Sequence, residues 1–591
     1  MEGKEAEASP LFKAAKSGEK FKVLQILQQG TCKAQLDSLY PCHNLGHLSA
    51  LHVALKERHW KVVELLLFGG LNPNKKDSNG NTALHWAVKE AAPLDLIKRL
   101  LDKDANPFLC NLRKSSPYTE LPTDESSLTS EAHNDTLKLL FSVLKEKEVV
   151  LTTGLASSSS TEGATTSLTK KEALTFLYSL SAEPQRALLR RAEVRLKKEV
   201  WQKVVHLLRY DGAGKSGEDG PKQGAPPSEP KDILVMAAVV LHNFAREEEY
   251  ATEIGECTGT FAFLFSLICA HADASVKKYA MHTLLALCTY SDKNKSTVAC
   301  KWLRVLRQLL IQPKMEALKP KACSVLAELT RGFEEGKQRV RQEVDLALIL
   351  SLLRSEDAAI RHDGCRILTN LSNGCSLTQA RIVLVDKSME LLVGFLRQNE
   401  EQECIVLAAL QTIGNILELV MEPEVKEDEA NTTLQTEEQE VREEQQRRQG
   451  RTTLLRFVVE SELTLSLLDV LTRNKQRRGQ DEAREQALRA VATILKSGAM
   501  KAEQMKDVLP FAVEATIQST SDEAKESLLS PITKRNTATI LFYFSSEAST
   551  KEAMQPHKEK LVGSLRILTE SDGITREQAL STLANLGWSI T

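Results

Sequence analysis

Ser49-Ala50-Leu51-His52-Val53-Ala54 returns as Thr82-Ala83-Leu84-His85-Trp86-Ala87, a shift of 33 residues. The likeness runs past these six positions. An apolar pattern follows each copy, Val62-Val63 with Leu66-Leu67 and then Ile97 with Leu100-Leu101. The two units close alike, on Leu71-Asn72-Pro73 and Ala105-Asn106-Pro107, and Asp77-Ser78-Asn79-Gly80-Asn81 supplies a turn just before the second. A fixed period of this length is the signature of a stacked repeat, whose units cannot bury their apolar faces alone.

The motif resembles the ankyrin repeat, a unit of about 33 residues built round Thr-Pro-Leu-His-x-Ala. Ser49 and Thr82 stand where a helix N-cap is needed. The resemblance implies that the histidines hydrogen-bond neighbouring turns while Leu and Ala face the next unit. Both motif prolines are replaced, by Ala50 and Ala83, and Arg58 takes the place of the usual inter-helix glycine. Clear units cover 49–81 and 82–115. Pro10 to Gly30 reads as an N-terminal capping unit and Ser116-Pro117-Tyr118-Thr119 as a decayed third, with Thr136 to Val149 as a helix of its cap. Thr31 to Leu48 is expected as an inserted loop. The ankyrin domain is thus assigned to 1–150.

A second period begins after Pro230. Leu241-His-Asn-Phe244 recurs from Leu284, Leu326, Leu368, Ile413, Val491, Leu541 and Leu583, at steps of 43, 42, 42, 45, 78, 50 and 42. The long step contains the charged run Glu422 to Arg451, and its removal leaves about 48. This resembles the armadillo repeat, three helices in about 42 residues, with a HEAT array as the near alternative. Asn243, Asn370, Asn415 and Asn585 match the family's frequent third-helix asparagine, which favours armadillo. The expected fold is all-α: an ankyrin array, then a right-handed superhelical armadillo-like solenoid over 231–591, interrupted by a disordered insertion at 422–451. Between the arrays lie a Ser/Thr-rich linker (151–167), a helical segment (168–210) and a Gly/Pro-rich flexible linker (211–230).

Composition agrees with stacked helices. The 591 residues are 42% hydrophobic, 26% charged and only 5% aromatic. A net charge of −2 gives no global basic field for nucleic acid or anionic lipid. The longest apolar runs, such as Phe261 to Ala270, fall short of a membrane span. The charged opening, MEGKEAEASPLFKAAKSG, has no apolar stretch of the kind a secretory signal carries. The eleven cysteines form no CxxC pair, and Cys269, Cys288, Cys323 and Cys365 read as reduced core thiols. Cytosol or nucleus is the expected address.

No catalytic residue, metal ligand or cofactor is nominated. Gly214-Lys215-Ser216 lacks the earlier glycine of a P-loop, since Arg209 stands there, and its flanks are wrong. Cys32, Cys42, His43, His47 and His52 match no common zinc spacing.

The partners expected are other proteins or extended peptides. The armadillo resemblance implies that the four asparagines line a concave groove and bond a peptide backbone. The import-receptor tryptophan ladder is missing: Val239, Arg366, Gln411 and Ser581 hold those positions. The ankyrin resemblance places Val53 and Trp86 on a concave face, and an exposed Trp is a typical hot-spot residue. The leading expectation is a scaffold or adaptor, with residues 151–230 setting the distance between two binding arrays. The alternatives are a chaperone-type regulator, or a phosphatase- or ubiquitin-ligase-associated subunit, with a folded client in the groove.

Overall fold

The computed structural model describes residues 9–29, 37–42, 46–120, 131–146, 155, 168–182, 186, 189, 195–209, 229–397, 402–421, 434–472, 480–520, 531–571 and 573–588. They form two compact units, 1–294 and 295–591, each described by itself below.

Unit one opens with helix pairs: α1 (Pro10–Ser17) and α2 (Lys20–Gln28), α3 (Ala50–Lys56) and α4 (Trp60–Phe68), α5 (Ala83–Lys89) and α6 (Leu94–Asp102). Helix α1 begins as its sequence dictates. The Ser9 hydroxyl accepts from the Phe12 N–H at 3.2 Å, Pro10 sits in the first turn, and Gly18 ends the helix at φ 74°. Arg58 and Ala91, one repeat apart, both turn between paired helices in the left-handed region, at φ 57° and 52°. That is the conformation for which ankyrin units usually spend a glycine.

The expected loop 31–48 contains structure. Strands β1 (Tyr40–Cys42) and β2 (Gly46–Leu48) pair antiparallel. This finger joins the next: His47 N–H donates to Ser78 Oγ at 2.8 Å, and Ser78 N–H to the His47 carbonyl at 3.1 Å. Asn79 in turn accepts from Leu112 N–H at 3.0 Å. The decayed unit at 116 survives as a 3-10 turn (Pro117–Glu120) and α7 (Glu131–Glu146), tied by a 2.9 Å bond from Tyr118 Oη to the Leu140 carbonyl.

Helix α8 (Lys170–Leu180) opens on a capping box, with Thr169 Oγ1 accepting from Glu172 N–H and Glu172 Oε2 accepting from Thr169 N–H at 3.0 Å. It is followed by α9 (Lys198–Leu207), α10 (Lys231–Phe244) and the three-helix set of α11 (Glu248–Glu256), α12 (Thr260–Ala270) and α13 (Ala274–Thr289). Sequence reading set 168–210 apart between two linkers. The structure instead builds it into the stack, because its apolar face has two neighbours to cover. On one side Phe176 meets Phe108 (ring centroids 4.9 Å) and Tyr118 (5.4 Å), and Ser179 Oγ bonds Ser116 Oγ at 2.9 Å. On the other, α8 stacks on α10 and α10 on α13. The ankyrin array and the first armadillo-like helices therefore share one core. Residues 151–154, 156–167 and 211–228 of the expected linkers lie outside the described residues.

Unit two repeats a three-helix rhythm. Its helices are α14 (Asp292–Lys301), α15 (Leu303–Ile311), α16 (Lys319–Thr330), α17 (Glu334–Glu343), α18 (Leu346–Leu352), α19 (Ala358–Ser372), α20 (Ser376–Leu384), α21 (Ser388–Arg397), α22 (Glu403–Leu417), α23 (Leu434–Glu460), α24 (Leu463–Thr472), α25 (Gln480–Lys496), α26 (Leu509–Thr520), α27 (Pro531–Ser546), α28 (Ala548–Met554), α29 (Lys558–Leu568) and α30 (Gly573–Leu586). Third helices α16, α19, α22, α25, α27 and α30 stack in that order. Helix α22 with its 3-10 extension, Glu403–Met421, is apolar enough over 19 residues to imitate a membrane span. Its place between α19 and α25 accounts for that composition.

The expected disordered insertion is corrected in part. Residues 434–451 belong to α23, while 422–433 lie outside the described residues. The run is rich in Glu, Gln and Arg, good helix formers, and Arg448 pairs with Glu444 one turn away at 3.3 Å. Gly450 lets α23 lie directly on α20, since a Cβ there would stand 2.7 Å from Ala380 Cα. One thiol also departs from expectation. Cys288, Cys323 and Cys365 are buried, but Cys269 ends α12 at the surface.

Candidate functional site

The repeated histidines span two units each. His52 Nδ1 accepts from Ser49 N–H at 3.2 Å, and its Nε2–H donates to the Lys75 carbonyl at 3.1 Å in the following finger. His85 does the same with Thr82 N–H (3.1 Å) and the Ser115 carbonyl (3.0 Å). One acceptor and one donor define the neutral Nε2–H tautomer. Burial pushes both imidazoles down from 6.5 to about 4.

Val53 and Trp86 do not form an exposed contact patch. Val53 is fully buried and Trp86 nearly so. The cause is Asp77, which accepts from Asn79 N–H and Asn81 N–H (both 2.8 Å) to hold the finger turn and from Trp86 Nε1–H at 3.0 Å. The finger is thereby fastened to the indole instead of leaving it open. The large apolar side chains that the ankyrin region exposes most are Leu112 (78%) and two phenylalanines, Phe21 (88%) and Phe68 (86%), one on each of two successive second helices.

The asparagines prove to be inter-unit bonds as well. Asn243 Nδ2 donates to Ser181 Oγ at 2.8 Å, Asn370 to Thr330 Oγ1 at 3.0 Å, Asn415 to the Thr369 carbonyl at 3.0 Å and Ser372 Oγ at 3.3 Å, and Asn585 to Ser545 Oγ at 3.2 Å. Each amide nitrogen is spent on the preceding third helix. Asn415 is buried, and the other three are half-buried.

A sequence signal for this bond exists and was missed. The hydroxyl acceptor always directly follows the preceding Leu-x-x-Leu motif: Ser181 after Leu180, Thr330 after Leu329, Ser372 after Leu371, Ser545 after Phe544. Where the asparagine is replaced, by Ala286, Glu328, Thr493 or Tyr543, the earlier position is Ala245, Cys288, Leu417 or Leu495, none with a hydroxyl. Donor and acceptor come and go together, as expected if an unpaired buried amide is costly.

Unit two carries an open polar cleft of about 690 Å³ along α19, α22, α25 and α27. Asn373, Gln411 and Asn415 line one end, and Arg489, Lys496, Arg535 and Asn536 the other. It lies over the two junctions, α22 to α25 and α25 to α27, where the asparagine bond is replaced. At the first, Arg489 pairs instead with Glu418 (2.5 Å). Ile532, 52% exposed, adds an apolar spot to the wall.

Residues 11–109 match the family model described as ankyrin repeats, in three copies. The first copy takes in α1 and α2, so the N-terminal cap is a full unit. A putative ankyrin repeat protein of fowlpox virus (strain NVSL) is 45% identical over 53 residues, 9% of this chain and 16% of that protein. One from Acanthamoeba polyphaga mimivirus is 29% identical over 79 residues, 13% and 19% respectively. The chain thus spans less than a fifth of these relatives. The crystal structure of an engineered protein is similar over 80% of this chain and 98% of its own, at 18% identity and a TM-score of 0.51, which is a likeness of fold.

The class follows. The protein is an all-α repeat protein, with an ankyrin array at the N-terminal end and armadillo-like three-helix units behind it. Repeat arrays of these kinds share a stacked architecture, and architecture alone does not fix function.

Proposed function

We propose that the protein is an adaptor whose two repeat regions hold different partners. The observation that carries this reading is the open cleft along the stacked third helices α19 to α27, whose lining is largely charged and amide side chains. The Asn415 amide keeps its nitrogen on the preceding unit, which leaves the oxygen at the cleft wall to accept from a partner's backbone. The second partner meets the ankyrin region through Phe21 and Phe68, aromatic residues of the kind that anchor interfaces.

The shared core through α8 supports a fixed relation between the ankyrin region and the first armadillo-like units, in place of a tether that sets their distance. Coupling then works through proximity with no bond chemistry. A groove that cradles a folded client remains the alternative; it would tolerate Asn415→Ala, whereas an extended partner would not. The test is affinity capture with the full-length chain, comparing Phe21→Ser/Phe68→Ser with Gln411→Trp, which fills the cleft. Each variant should lose a different set of partners while keeping the other. Loss of the same set by both would remove the adaptor reading.

A further inference from the structure

The reading of the cleft as a docking site can be carried to the chemistry of its occupant. Arg489, Lys496 and Arg535 face Glu418 there, a net of +2, in a protein whose overall charge is −2. Glu418 is already satisfied by Arg489. Lys496 and Arg535 have no ion-pair partner among the described residues, although unit two is otherwise dense in pairs such as Arg304 with Glu343 and Arg366 with Glu328. Cations left unpaired on a concave wall concentrate potential toward the opposite charge.

The cleft also has a length. Four stacked helices at about 9 Å spacing span roughly 27 Å, which an extended chain of about eight residues crosses. Ile532 stands exposed beside Arg535 and gives an apolar foothold within that span.

We infer that the cleft over α19, α22, α25 and α27 binds an extended acidic peptide segment of a partner protein, with carboxylates on Lys496 and Arg535 and one aliphatic side chain on Ile532. This rests on the docking role proposed above.

The experiment uses the full-length chain and three fluorescein-labelled octapeptides, each with a central Leu flanked by Glu and Asp, by Lys, or by Ser, read by fluorescence polarisation. The acidic peptide should bind at least ten-fold tighter than the other two, and its affinity should fall several-fold between 50 and 300 mM salt, concentrations chosen to bracket physiological screening at about 150 mM. Lys496→Glu/Arg535→Glu should cost at least ten-fold, while Lys314→Glu, an exposed site outside the cleft, should change nothing. If the Lys or Ser peptide binds as well and Gln411→Trp abolishes it, the docking site stands and its acidic preference is wrong. If no peptide binds, both readings fall together. Tighter binding after Glu422, Glu424, Glu427 and Glu429 are changed to Gln would assign the cleft to the chain's own acidic run and overturn a separate partner.

Discussion

The ankyrin and armadillo regions solve one problem with different chemistry. Each must join a unit to its neighbour through one repeated polar residue. The ankyrin region uses His52 and His85, reaching from a helix start to the next finger's carbonyl. The armadillo region uses asparagines, reaching back to a hydroxyl or carbonyl on the preceding third helix. Imidazole titrates near neutrality when free, whereas an amide does not. The two regions should therefore share a fold logic and differ in their response to acid.

The largest effect is expected where the regions meet. Phe176→Ala removes a buried ring that touches both Phe108 and Tyr118, and should cost about 3–5 kcal/mol. Hydrogen exchange should rise on both α6 and α10. A rise on one side alone would mean that the comparison concerns two independent domains.

Acid should then separate the regions. Both histidines are held at about 4 in the fold against 6.5 when free, so their contribution is complete above 6.5 and is lost as pH falls toward 4. Between pH 7 and 5 each should withdraw about 2 kcal/mol. Exchange protection should drop most across residues 49–115 and less on the third helices of unit two, where burial also pushes His362 of α19 below its ordinary value. Equal loss in both would break the contrast.

Gly450→Leu tests whether α23 is a docked helix. It forces a side chain against Ala380 and should cost about 2 kcal/mol by urea unfolding. A disordered insertion would be indifferent. Asn415→Ala should be milder, about 1 kcal/mol, for it removes the bonds to the Thr369 carbonyl and the Ser372 hydroxyl, which keep each other as partners. Its cost should be the same at pH 7 and pH 5, whereas that of His85→Ala should shrink in acid.

Much of the architecture was legible in the chain. The 33-residue return of Leu-His-x-Ala and the steps near 42 are periodicities, and periodicity survives without knowledge of contacts. The finger at 40–48 was harder to see, since it pairs with Ser78 some thirty residues away. The segment 168–210 looked separate because its repeat motif, Leu177 to Leu180, stands outside the regular spacing.

The candidate site divided along the same line. Trp86 was found at the right place in its repeat and given the wrong surroundings, because nothing local to Leu-His-Trp-Ala announces Asp77 nine residues earlier as its acceptor. The asparagines were found too, yet their hydroxyl partners lie 40 to 62 positions away. That pairing was written in the sequence and is readable once the repeats are aligned.

By itself, the sequence determined which helices form, how many residues each unit takes, and which face of each is apolar. Local propensity and spacing set those properties, and they do not depend on what lies across the groove. Only the tertiary structure decided which polar residues are consumed in holding units together and which remain for a partner. That is a question of distance between side chains far apart in the chain, and it buries Trp86 and Val53 while leaving Lys496 and Arg535 on the lining of an open cleft.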